Sequence, residues 1–153
     1  MSLEKLLSTL SEKSGADFRL DSNGACAFEY GPGLELTISS VDAGSGLLLH
    51  QPVRFLSQVA PEAVLRRCME LNLYGIQTHG GMLGLDPQGG WIVLAKRLAV
   101  DSLDPSRLED ALVQFIAAAG RIVGELSEGA QVTEALKTPF HDEVVRMSGL
   151  IRG

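Results

Sequence analysis

Three histidines and two cysteines are the residues of this 153-residue chain best suited to acid-base, nucleophilic or metal chemistry. His50, His79 and His141 stand apart, without the HxxxH or His-Glu spacing that would bring two ligands to one helical face. For each, a surface or structural role outweighs a catalytic one. Cys26 and Cys68 lack the CxxC spacing of a zinc or redox site and are too few for a disulfide scaffold. Both fall among apolar residues, which predicts reduced, buried thiols. The glycines group as Gly31/Gly33, Gly44/Gly46, Gly80/Gly81/Gly84 and Gly89/Gly90, and none of these groups fits a phosphate-cradling loop between strand and helix. Tight hairpins explain them. Catalytic residues, metal and cofactor are therefore expected to be none, and the chain reads as a non-enzyme.

The elements that carry these residues are legible from periodicity. Leu3, Leu6, Leu7 and Leu10 recur at helical spacing behind Ser2, a residue suited to an N-cap, and Gly15 ends the pattern. In residues 25–30, Cys26, Phe28 and Tyr30 share one face at a period of two, and residues 34–39 alternate strictly through Leu34, Leu36 and Ile38. The pair predicts an antiparallel hairpin around Pro32 and Gly33. A third strand is expected over 47–53, with Pro52 marking an edge or an ending. Pro61 opens a helix in which Val64, Leu65, Cys68, Leu71 and Asn72 lie along one side, ending at Gly75. Residues 82–85 and 91–95 form a second hairpin with little polarity on either face. Asp104 and Pro105 start the longest helix, whose apolar residues from Leu108 to Leu126 follow the 3.6 period.

The order α-β-β-β-α-β-β-α gives an α+β class with a mostly antiparallel twisted sheet and lacks the alternation of a doubly wound nucleotide-binding fold. Residues 1–128 form the expected domain. Residues 129–153 form a tail in which Val144, Met147, Leu150 and Ile151 allow one more amphipathic stretch. Apolar residues make up 45% of the chain, enough for one core, and no run reaches the roughly 18 residues of a membrane helix. The charged residues early in the chain are unlike a signal peptide, so a cytoplasmic protein without membrane insertion is expected. A net charge of −6, shared evenly between the halves, and 5% aromatics argue against nucleic acid as a partner.

The early elements present Leu6, Leu10, Phe28, Leu36, Ile38 and Leu49, more apolar surface than one short helix covers, and an apolar groove beside a sheet edge can accept an extended peptide. A small-molecule-binding regulator with a pocket between sheet and long helix, or a non-catalytic adaptor joining folded proteins, is the alternative.

Several phrases, in order, carry a likeness to a known family. They are Leu3-Glu4-Lys5-Leu6-Leu7, Cys26-Ala27-Phe28, Leu36-Thr37-Ile38, Cys68-Met69-Glu70-Leu71-Asn72-Leu73, Gly81-Met82-Leu83-Gly84-Leu85-Asp86 and Trp91-Ile92-Val93-Leu94. Over residues 3–127 the chain resembles the Tir chaperone (CesT-like) family, class I chaperones of type III secretion effectors. The resemblance implies an acidic homodimer without catalytic activity, in the service of virulence, that holds an N-terminal segment of a secreted effector in extended form. By position it assigns effector binding to Leu6, Leu10, Phe28, Leu36, Ile38 and Leu49. It assigns the dimer interface to Leu71, Leu73, Met82, Leu85, Trp91 and Val93. A lone hairpin as apolar as residues 82–95 also favours a twofold contact.

Overall fold

The computed structural model describes residues 1–59 and 61–127. Helix α1 spans Leu3–Ser14, strands β1 Ala25–Gly31, β2 Leu34–Val41 and β3 Gly46–Phe55, helix α2 Pro61–Asn72, strands β4 Met82–Asp86 and β5 Trp91–Ala99, and helix α3 Pro105–Leu126. The expected element order and α+β class are those found. All five strands belong to one antiparallel sheet ordered β1-β2-β3-β5-β4. The tail residues singled out above lie outside the described residues.

The helix starts follow from their caps. Ser2 Oγ accepts the Lys5 N–H at 3.3 Å, and Asp104 Oδ1 accepts that of Arg107 at 2.8 Å with Pro105 behind it. Gly15, at φ +73°, closes α1 by donating to Ser11 O. Ser11 Oγ then receives the Phe18 N–H at 3.0 Å, turning the chain back so that Phe18 drops into the core.

Alternation sorts each strand between two faces. Leu34, Leu36 and Ile38 of β2, Leu47 and Leu49 of β3, and Ile92 and Leu94 of β5 point to the face that α1 and α3 cover, and all are buried. On the opposite face Ala27, Glu29, Glu35, Pro52, Met82, Trp91 and Arg97 are exposed. On the covered side the Tyr30 hydroxyl donates to Gln51 Oε1, giving two buried polar groups a shared partner. Burial pushes the Tyr30 phenol far above its usual range, the Gln51 bond opposing in part.

Two sequence expectations need correction. Pro52 lies inside the β3–β5 ladder, opposite Val93, and β3 continues to Phe55 through a register shift. By alternation its missing N–H faces β2, whose pairing with β3 stops at the Thr37–His50 pair, so no ladder bond is lost. Helix α2 ends at Asn72 rather than Gly75, because Tyr74 and Gly75 take φ of +60° and +68°.

Candidate functional site

The residues assigned to binding divide sharply by burial. Leu6, Leu10, Leu36, Ile38 and Leu49 are all 0% exposed. They form the core of the single subunit, which corrects the expectation that they line an open groove. α1 does not cover that face alone: α3 lies beside it and Phe18 joins the same layer. Only Phe28 keeps surface, half-buried with its ring edge-on to Phe18 at 5.1 Å.

The β1 end nevertheless offers a site of another kind. Ser40 N–H donates to Gly24 O at 2.7 Å, which fixes the phase of the ladder, so that Ala25, Ala27 and Glu29 turn their N–H and C=O groups away from β2. Asp21 takes both groups of Ala25: its Oδ1 accepts the Ala25 N–H at 3.0 Å and its own N–H donates to Ala25 O at 2.8 Å. Among the described residues, Ala27 and Glu29 remain as a free edge. A cleft of about 510 Å³ borders the start of this edge, between Glu4, Leu7 and Ser8 of α1 and the chain around Leu20 and Ser22. Free backbone groups beside a cleft of mixed lining, with Leu7, Phe18 and Leu20 among polar neighbours, suit an extended peptide.

The β4 end reverses this pattern. Among residues assigned to the interface, Leu73 (58%), Met82 (68%), Leu85 (46%) and Trp91 (41%) are exposed, Val93 is half-buried, and Leu71 is fully buried in the core. Sequence reasoning missed Phe55, Met69, Tyr74 and Ile76, which are also exposed here. Phe55 stacks edge-on against Trp91 with centroids 5.6 Å apart. A signal for part of this surface was available in Leu73-Tyr74-Gly75-Ile76, three large apolar residues around a turn glycine.

The loop after α2 is tied down at several points. Arg121 of α3 donates to both Gln77 Oε1 and Gln77 O, Lys96 Nζ donates to His79 O at 2.7 Å, and Gly80 N–H donates to Gly75 O at 2.8 Å. The buried Thr78 hydroxyl donates to Gly81 O at 2.7 Å. Arg67 bridges Glu70 and Glu125, linking α2 to α3.

Among the described residues, reactive groups do not converge. Burial pushes the Cys26 and Cys68 thiols up, and nearby Asp17 and Asp21 add to the shift at Cys26. His50 lies within 3.2 Å of Ser39 Oγ, and burial holds its imidazole below the usual value. Among the described residues no group of three or more His, Cys, Asp or Glu is placed to hold a metal ion, and no helix is long and apolar enough to cross a membrane.

Sequence comparison with curated proteins gives no significant match. Solved structures are similar in fold. The HopA1–SchA chaperone–effector complex matches with a TM-score of 0.61 and 20% identity, covering 75% of this chain and 88% of that one. The ExsC–ExsE complex matches at 0.63 and 19%, covering 78% and 92%. The ExoU–SpcU complex from the type III secretion system of Pseudomonas aeruginosa matches at 0.62 and 17%, covering 82% and 98%. The sequence profile of one family spans residues 5–122, from within α1 almost to the end of α3. On that match the chain belongs to the Tir chaperone protein (CesT) family.

Proposed function

We propose that this protein is a type III secretion chaperone, a non-catalytic cytoplasmic homodimer that holds an N-terminal segment of a secreted effector in extended form. The observation that carries the reading is the free β1 edge at Ala27 and Glu29 beside the α1 cleft, in a chain of this family. An unfolded segment adds there as a sixth strand and sets apolar side chains against Phe28 and Leu20. Leu6, Leu10, Leu36, Ile38 and Leu49 then shape the floor rather than touch the client. Burying client side chains contributes about 25 cal/mol per Å² gross, reduced by the cost of ordering the segment. The second copy covers Leu73, Met82, Leu85 and Trp91, with Val93 at the margin and Leu71 supporting from the core.

The test is co-expression with the N-terminal region of the protein encoded by the adjacent reading frame, followed by co-purification. The client region should come down with the wild-type chain and be protected from protease without gaining globular structure. If it folds on the chaperone, or the chain captures folded partners only, the reading fails.

A further inference from the structure

Asn72, the last residue of α2, makes two hydrogen bonds to one residue of β4. Its Nδ2 donates to Leu83 O at 2.9 Å, and its Oδ1 accepts the Leu83 N–H at 2.7 Å. These are the two bonds that a neighbouring antiparallel strand would exchange with Leu83. β4 is an outer strand of only five residues, and by alternation Leu83 and Leu85 turn their backbone groups outward. The side-chain amide thus occupies the first of the two outward positions of a short edge and leaves only Leu85 beyond it, too little for a ladder of its own. On β1 the comparable cap, Asp21 on Ala25, sits at the start of the strand and leaves two consecutive outward residues beyond it.

We infer that Asn72 is an edge lock: it closes β4 to strand pairing, so that a partner meets this end of the molecule through side chains while strand addition is confined to β1. The confinement to β1 rests on the function proposed above; the lock itself does not. An unpaired edge among exposed apolar side chains is a template for sheet-to-sheet association. Leu73, Met82 and Leu85 surround this edge, so the region needs the lock more than β1 does. The amide also fixes the end of α2, and with it the turn that carries Leu73 and Tyr74 outward.

Hydrogen exchange and sedimentation of the full chain, without any client, test the lock. In Asn72→Ala the Leu83 amide should exchange roughly tenfold faster or more, because one hydrogen bond and its cover are gone. Gly84, which faces β5, should keep its protection. The variant should also sediment as larger, concentration-dependent assemblies than the wild type. Should Gly84 lose protection as well, Asn72→Ser decides: it stays polar but is too short to serve both backbone groups, and the same two changes are expected. Unchanged Leu83 exchange overturns the inference, and so does faster exchange with wild-type assembly size. Failure of client capture would overturn the proposed function and leave these readouts as they are.

Discussion

The two ends of the sheet solve opposite halves of one problem. At β1 the large apolar side chains are covered and two successive outward backbone positions are available; at β4 the outward position at Leu83 is occupied, leaving Leu85 alone, and the apolar side chains are available. A free backbone edge has no preference for sequence and suits a chain that arrives unfolded. A field of fixed side chains such as Leu73, Met82 and Trp91 demands a complementary shape and suits a folded surface. On the proposed function, one small fold thereby keeps client capture and self-association apart.

Substitutions can break or sharpen this contrast. The largest effect belongs to the covered side chains at the β1 end: Leu36→Ala or Ile38→Ala should cost about 2–5 kcal/mol in urea unfolding, against under ~0.5 kcal/mol for Leu73→Ala studied as a monomer. Comparable losses at both ends would remove the distinction. Next, Leu73→Asp combined with Trp91→Asp should shift sedimentation from dimer to monomer while each subunit stays folded by circular dichroism. A dimer that survives both charges places the pairing surface elsewhere.

A smaller effect is expected from Ala27→Pro, which removes one outward N–H from β1 without touching its ladder with β2. Client affinity by titration calorimetry should fall roughly tenfold, about 1.4 kcal/mol, with little change in melting temperature. The matching change Leu85→Pro on β4 should leave client affinity as it was. The smallest effect concerns His50, midway between the ends. Its folded pKa is lowered by burial, so the unfolded chain takes up the proton first as pH falls. The stability it allows is therefore complete above about pH 6.5 and declines below it. His50→Gln should give a shallower loss of melting temperature on acidification, and an unchanged slope would assign the acid sensitivity to other groups.

The fold was legible because its signals are local. Leu34, Leu36 and Ile38 alternate so strictly that register and buried face follow together, and Asp104-Pro105 announces α3 before its apolar stripe begins. The burial of the candidate residues was not legible from such signals. How much of the sheet is covered depends on α1, α3 and Phe18 forming one layer, which no short window encodes. Leu71 and Leu73 show the same limit. They are two residues apart in one apolar phrase, yet one is in the core and the other in solvent, because α2 ends between them at a residue whose role depends on a distant strand. The left-handed turn at Tyr74 adds to this, since propensity argues against a bulky residue there. Of the expected interface, four of the six residues are exposed and Val93 is half-buried; of the expected groove, none is exposed and Phe28 alone is half-buried.

The ties from Arg121 to Gln77 and from Lys96 to His79 have a kinetic meaning for pairing. They anchor the ground beneath Tyr74 and Ile76 to α3 and β5 as the chain folds, so in the proposed dimer two copies would meet as shaped solids rather than as loops that must first come to rest. Docking should then be quick on encounter, and the lifetime of the pair, more than its rate of formation, should set its strength.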